Sequence, residues 1–149
     1  MSRKLIFVCL FTMILAALAV PAMADPGRGT TVLCYVWSNN VSSAIGVAIS
    51  PSSTYSYNAN GRAAANSVTR TAVGTYTVTC KGVGGAALGG GTTWGPGGHV
   101  QVTAYGTEDA DYCKVSNWVT GGADFSATVK CYNAAGAASD NRFDLLFLW

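Results

Sequence analysis

One stretch of the sequence predicts most of the fold: YCKVSNWVTGGADFSATVKCY, residues 112–132. Two segments in which apolar and polar residues alternate flank a glycine-containing turn, which is the pattern of a β-hairpin. If the turn is centred on Gly122, residues equally distant from it along the chain face each other across the two strands. These pairs are Tyr112 with Tyr132, Cys113 with Cys131, Lys114 with Lys130, Val115 with Val129, Asn117 with Ala127, Trp118 with Ser126 and Val119 with Phe125.

The hairpin predicts a disulfide between Cys113 and Cys131. Directly opposed residues of antiparallel strands lie about 4.5–5.5 Å apart at their Cα atoms, within the range of a disulfide. Of the five cysteines, Cys9 lies in an N-terminal apolar run, so elimination pairs Cys34 with Cys80. The chain has no C-x-x-C pair, and disulfides would use up the remaining cysteines, so we predict no metal site and no cofactor.

Alternating patterns bounded by turn residues predict nine strands in the chain. They are 31–37, 44–50, 54–58, 67–71, 75–81, 99–105, 112–118, 124–132 and 142–148. We therefore predict an all-β fold, an antiparallel β-sandwich of about seven to nine strands with two disulfides. Segment 82–98 carries Trp94 and is so rich in glycine that we expect a long exposed loop.

The first 24 residues have the features of a signal peptide. Arg3 and Lys4 precede an uncharged apolar run over 5–20, and small residues lead up to a cleavage site after Ala24. The run is shorter than the ~20 residues of a transmembrane helix. We expect residues 25–149 to form a single secreted domain, extracellular or periplasmic, with no membrane attachment once residues 1–24 are removed.

The signal peptide also accounts for the net positive charge. The chain has nine Lys and Arg against seven Asp and Glu, and removing Arg3 and Lys4 leaves seven of each. A net charge near zero gives no reason to expect a nucleic-acid partner. Of the remaining charges, Arg70 is expected to form a structural ion pair with Asp140 or Asp144.

Several short strings occur in a fixed order along the chain. They are YSYNANG at 55–61, VTR at 68–70 with GTYTV at 74–78, VQVTAYG at 100–106, CKV at 113–115 with Trp118, and VKCY at 129–132. Together they resemble a family of secreted bacterial all-β domains that has no assigned activity. The resemblance implies a β-domain that is exported, and it implies no catalytic residue.

Residue types suited to acid–base chemistry are few and scattered. His99 is the only histidine, and no serine stands in a G-x-S-x-G context. The acidic group Glu108, Asp109 and Asp111 is compatible with a calcium loop or a glycosidase carboxylate pair, but a solvated turn is the simpler interpretation. We therefore predict that the protein is not an enzyme.

The second face of the 112–132 hairpin is the predicted binding site. It carries three aromatic rings and two opposed lysines, namely Tyr112, Lys114, Trp118, Lys130 and Tyr132. Rings and lysines together are typical of a platform for an anionic or sugar ligand. Alternatively, the 82–98 loop covers this face or the carboxylates at 108–111 neutralise the lysines, and the face is structural.

These features favour a non-catalytic extracellular binding or interaction module whose ligand is a glycan or a protein. A small secreted hydrolase with an unrecognised site is one alternative. An inhibitor-like or toxin-like domain is another, but it requires a rigid exposed loop, for which the glycine-rich segment 82–98 is poorly suited.

The processing prediction is checked by intact-mass analysis of protein recovered from culture supernatant. We expect a chain that starts at Asp25 and is lighter by about four hydrogens than its reduced form, because two disulfides have formed. A mature chain that retains Cys9, or free thiols at Cys34 and Cys80, would contradict the prediction.

Overall fold

The computed structural model describes residues 32–39, 41–60, 66–85, 97–106, 110–120 and 122–148. This part of the chain contains nine strands. They are β1 (Val32–Ser38), β2 (Ala48–Ile49), β3 (Tyr57–Asn58), β4 (Asn66–Ala72), β5 (Thr75–Cys80), β6 (His99–Tyr105), β7 (Tyr112–Val119), β8 (Phe125–Tyr132) and β9 (Arg142–Leu148). Each predicted strand overlaps one of these, although the segments predicted at 44–50 and 54–58 keep only two paired residues each. None of the described residues belongs to a helix that could cross a membrane.

The strands form two antiparallel sheets, which confirms the predicted β-sandwich. The four-stranded sheet has the order β3-β1-β9-β6, and the five-stranded sheet has the order β2-β4-β5-β8-β7. We call them sheet A and sheet B. Because side chains alternate along a strand, each sheet has an inner face towards the core and an outer face.

The core is built from the inner faces of the central strands. On β8, Phe125 and Val129 are fully buried, and on β9 so are Phe143 and Phe147. The rings of Phe125 and Phe147 stack with their centroids 4.1 Å apart, which joins sheet B to sheet A. Offset aromatic pairs of this kind stabilise a core beyond their buried area.

Two disulfides connect the pairs predicted from the sequence. Cys34–Cys80 joins β1 to β5 and therefore links the two sheets, with 6.4 Å between the Cα atoms. Cys113–Cys131 joins β7 to β8 within sheet B, with 4.0 Å between the Cα atoms. Both pairings are confirmed.

Two buried asparagines flank the disulfide between the sheets. Asn58 is the cross-strand partner of Cys34, and Asn66 is the partner of Cys80. The Asn58 amide donates to Asn66 Oδ1 at 2.9 Å and to the Lys81 carbonyl at 3.1 Å. Asn66 donates to the carbonyl of Tyr57 on β3, at 3.0 Å. Buried polar groups are tolerated when they are bonded in this way, and here they attach the short β3 to the core.

The predicted hairpin register is correct in its first half and wrong in its second half. The pairs from Tyr112–Tyr132 to Val115–Val129 are confirmed. An irregularity between Val115 and Asn117 then shifts the pairing, so that Asn117 faces Thr128, Trp118 faces Ala127 and Val119 faces Ser126. An extra residue in one strand is a β-bulge, which alternation alone does not reveal. The shift turns Trp118 to the side of the buried Ala127 and leaves Val119 exposed.

The start of the glycine-rich segment is packed, not exposed as predicted. Val83 is fully buried, and its neighbours Gly84 and Gly85 donate their amides to the carbonyls of Ala123 and Thr120. These bonds hold the segment that follows β5 against the turn of the β7–β8 hairpin. Trp94 and the rest of residues 86–96 lie outside the described residues.

Two glycines with similar backbone angles give a matched test of packing. Gly74 has φ +64°, and a Cβ atom there would lie 2.5 Å from the Cys131 carbonyl oxygen. Gly136 has φ +77° with nothing within 4 Å. Gly136→Ala should lower the free energy of unfolding by about 1–2 kcal/mol, the left-handed backbone term alone.

Gly74→Ala should lower it by roughly 3 kcal/mol or more, because the backbone at Cys131 on β8 and at Ser139 in the following loop must also move. Chemical denaturation of both variants measures the difference. Equal losses at the two positions would show that the packing around Gly74 is not as described.

Candidate functional site

Four of the five predicted site residues lie together on the outer face of sheet B. Tyr112 pairs with Tyr132, and their rings stack at 5.2 Å with an interplanar angle of 23°. Lys114 pairs with Lys130, and Lys114 Nζ lies 5.3 Å from the centroid of the Tyr132 ring. We call these four residues the lysine–tyrosine cluster.

Trp118, the fifth residue, is separated from the lysine–tyrosine cluster by the bulge. It lies on the opposite side of sheet B, and its Nε1 donates to the Gly97 carbonyl at 3.4 Å. Gly97, at the described end of the glycine-rich segment, therefore contacts Trp118. The prediction that Trp118 shares a face with Lys114 is wrong.

The lysines of the cluster have no acidic partner among the described residues. The two salt bridges in this part of the chain are Arg70–Asp140 and Lys81–Asp124. Asp111 accepts a hydrogen bond from the Asn141 amide at 3.0 Å. Glu108 and Asp109 lie outside the described residues.

Asp140 is the centre of a polar network at one end of the sandwich. Its carboxylate accepts two hydrogen bonds from Arg70, at 2.9 and 2.6 Å, which confirms one of the two predicted ion pairs. It also accepts the Gly74 amide at 2.8 Å and the Tyr76 hydroxyl at 3.0 Å. Burial raises the pKa of Asp140, but these donors outweigh it and hold the pKa below its usual value. A carboxylate so fully bonded is structural.

The outer face of sheet A carries a cluster of aromatic side chains that was not predicted from the sequence. We call it the aromatic face, and it consists of Tyr35 and Trp37 on β1, Tyr55 and Tyr57 at β3, Tyr105 on β6 and Asp144 on β9. The Trp37 ring lies 5.1 Å from that of Tyr55 and 5.9 Å from that of Tyr105. Tyr55 is 59% exposed and Tyr57 is 49% exposed.

Tyr105 holds the aromatic face together across three strands. It projects from β6, and its hydroxyl donates to the Ser38 carbonyl on β1 at 3.2 Å. Because β9 lies between β6 and β1, the side chain passes over the strand that carries Asp144. Burial, followed by the charge of Asp144, raises the pKa of Tyr105 to about 12.

Asp144 lies in the middle of this face, between Trp37 and Thr103 on the neighbouring strands. Its carboxylate accepts a hydrogen bond from Tyr35, but Oδ1 is buried and has no hydrogen-bond partner among the described residues. Burial raises the pKa of Asp144, and the bond from Tyr35 offsets only part of that effect. An unsatisfied buried carboxylate oxygen costs free energy, so its presence calls for an explanation.

Arg142 is the other charged residue on this side of β9, two positions from Asp144. It is exposed and is the cross-strand partner of Tyr105. Within the part of the chain that the structure describes, Arg142 and Asp144 form no salt bridge. The face thus offers one cation and one anion, and neither has a partner of opposite charge among the residues that the structure describes.

The sequence contains a signal for this face, although a weak one. Tyr35 and Trp37 are two residues apart, as are Tyr55 and Tyr57, so each pair shares one side of an extended segment. Asp144 interrupts an otherwise apolar strand. No local sequence pattern predicts that these three segments are neighbours, because their proximity depends on the strand order of sheet A.

Comparisons with known proteins do not add a function. No family model matches the chain, and no curated protein or solved structure is significantly similar to it. The described residues contain no group of three His, Cys, Asp or Glu side chains that could hold a metal ion. His99 is exposed at the start of β6 and makes no hydrogen bond to a serine or an aspartate in this part of the chain.

The pKa shift of Asp144 predicts a pH-dependent effect of Asp144→Asn. Because folding raises the pKa of Asp144, its ionised form destabilises the fold relative to its protonated form. The contribution of Asp144 to stability is therefore fully present below its unfolded pKa of about 3.9 and is lost as the pH rises through the folded pKa. The neutral amide should therefore raise the free energy of unfolding at pH 7 by roughly 1 kcal/mol. The gain should vanish in thermal melts near pH 3.5.

Asp140→Asn is the control, because folding lowers the pKa of Asp140. Its carboxylate stabilises the fold above the unfolded pKa, and that contribution is lost as pH falls through the folded value. Asp140→Asn should therefore lower the melting temperature at pH 7. If the two substitutions shift it in the same direction, the description of these two carboxylates is wrong.

Proposed function

We propose that the protein is a secreted, non-catalytic binding module and that its ligand binds to the aromatic face of sheet A. The observation that carries the proposal is the contact of Trp37 with Tyr55 and Tyr105 beside the unpartnered Asp144. The predicted signal peptide and the two disulfides support export to an oxidising compartment.

The two outer faces of the sandwich differ in composition, which supports a functional role for one of them. Apart from Lys130 and Tyr132 on β8, the outer positions of the central strands of sheet B are hydroxyl-bearing, namely Ser67, Thr69, Thr75, Thr77, Thr79, Ser126 and Thr128. Most of the outer face of a sheet in this fold can therefore consist of small polar residues. The rings of sheet A are not required by the sandwich, and exposed aromatic patches commonly mark interaction sites.

The unpartnered carboxylate supports the same conclusion. A protein selected only for stability would gain by replacing Asp144, because its Oδ1 is buried without a donor. Retained instability is typical of binding and catalytic sites, where activity and stability compete. A ligand that supplies a donor would remove the cost on binding.

A hydrolytic role has less support than binding. A carboxylic acid with a raised pKa among aromatic rings resembles the general acid of a glycosidase, but that chemistry needs a second carboxylate within about 5–9.5 Å. Asp144 is the one acidic residue of the aromatic face among the described residues. We therefore prefer binding without catalysis.

The lysine–tyrosine cluster is a second candidate surface. It is favoured by two lysines that have no acidic partner in the described ranges and lie beside a stacked tyrosine pair. It is smaller than the aromatic face, and it contains no buried unsatisfied atom. Its residues provide a control for the aromatic face.

The test uses tyrosines of matched exposure on the two faces. Tyr57 is 49% exposed and Tyr112 is 48% exposed, so Tyr57→Ala and Tyr112→Ala should both leave the fold intact. We expect Tyr57→Ala combined with Tyr55→Ala to weaken retention on cell-envelope and polysaccharide fractions at least about tenfold. Tyr112→Ala combined with Lys114→Ala should leave retention unchanged, and the reverse pattern would overturn the proposal.

A further inference from the structure

We propose that the ligand of the aromatic face is an uncharged carbohydrate, which stacks its sugar rings on the exposed tyrosines and Trp37 and donates a hydroxyl to Asp144. This inference rests on the proposed binding function and names the chemical class of the ligand. It depends on the shape of the face, its charges and its unsatisfied acceptor.

The shape of the aromatic face suits an extended chain of rings. Tyr55 and Tyr57 lie at β3 and Trp37 lies on β1, and the rings of Tyr55 and Trp37 are 5.1 Å apart. These aromatic side chains form a row at one edge of sheet A, next to Asp144 on β9. An oligosaccharide can lie along such a row, with the C–H faces of successive sugars on the ring faces.

The charges of the face favour an uncharged ligand. Asp144 and Arg142 lie on the same side of β9 and carry opposite charges. An anionic ligand would be attracted by Arg142 and repelled by Asp144, and a cationic ligand the reverse. Neither sign of charge gains a net advantage, whereas the lysine–tyrosine cluster on the other sheet would favour an anion.

The unsatisfied oxygen distinguishes a carbohydrate from an apolar protein surface. An apolar partner would bury Asp144 further and still leave Oδ1 without a donor, which adds a desolvation cost. A sugar hydroxyl donates a hydrogen bond, and bonds to an ionised acceptor are about twice as strong as neutral ones. Carbohydrate therefore satisfies both the rings and the carboxylate.

Access to Asp144 requires movement of neighbouring side chains. Oδ1 is buried, and the Tyr105 side chain crosses the adjacent part of β9. Tyr105 is held by its hydrogen bond to Ser38 and by its contact with Trp37. Rotation of Tyr105 away from β9 would uncover the part of that strand which the side chain now crosses, next to Asp144.

The experiment measures binding of the mature protein to uncharged hexasaccharides of β-1,4-glucose, β-1,4-xylose, β-1,4-N-acetylglucosamine and α-1,4-glucose by calorimetry. Polygalacturonate and hyaluronate serve as charged probes. We expect binding to at least one uncharged probe, and Asp144→Asn should weaken it about tenfold or more. The same substitution is expected to raise the melting temperature at pH 7, so a loss of affinity would not come from a destabilised fold. Asp124→Asn, at the exposed salt bridge with Lys81, should leave affinity unchanged.

Three outcomes would overturn the inference. One is a preference for the charged probes, and another is an affinity that Asp144→Asn leaves unchanged. The third is a protein that binds no carbohydrate probe but is retained on envelope material through Tyr55 and Tyr57. If protease treatment of that material abolishes the retention, the ligand is a protein. In the third case the proposed binding function stands. If Tyr55→Ala with Tyr57→Ala changes retention on no fraction, the proposed function itself fails.

Discussion

The disulfide between Cys34 and Cys80 is the constraint on which the rest of the structure depends. It fixes β1 of sheet A against β5 of sheet B, and buried Asn58 and Asn66 complete the joint through hydrogen bonds to each other and to the backbone. Because Cys34 must point inward, alternation along β1 directs Tyr35 and Trp37 outward. The covalent link between the sheets thus also determines which side chains reach the surface of sheet A.

Two aspartates show how the same residue type takes different roles in this fold. Asp140 accepts hydrogen bonds from Arg70, Gly74 and Tyr76, and its pKa lies below the usual value. Asp144 has one donor, an oxygen without a partner, and a raised pKa. The first joins the β4–β5 turn to the chain before β9, which is a structural task. The second accepts a hydrogen bond from Tyr35, and it lies among exposed rings. The unsatisfied oxygen of Asp144 costs the fold free energy, and a ligand that donates a hydrogen bond to it would remove that cost.

Much of the fold could be predicted from local pattern, and the candidate site could not. Alternation and turn residues gave the strands, and the opposition of Cys113 and Cys131 gave the disulfide pairing, because these relations hold within a hairpin. The bulge near Ser116 escaped prediction, since an inserted residue leaves the alternating pattern readable on both sides. It moved Trp118 away from the lysines. The aromatic face depends on the order β3-β1-β9-β6, in which strands distant in sequence become neighbours, and no single segment encodes that order.

The central claim is that the aromatic face of sheet A binds the ligand, and hydroxyl-radical footprinting of the unmodified protein tests it most directly. Protein would be oxidised free and when bound to envelope or polysaccharide material, and the extent of oxidation at each tyrosine read by mass spectrometry. Tyr55, Tyr57 and Tyr112 are about half exposed in the free protein, so each should react. We predict that binding protects Tyr55 and Tyr57 and leaves Tyr112 unchanged. Protection of Tyr112 with continued oxidation of Tyr55 and Tyr57 would contradict the account.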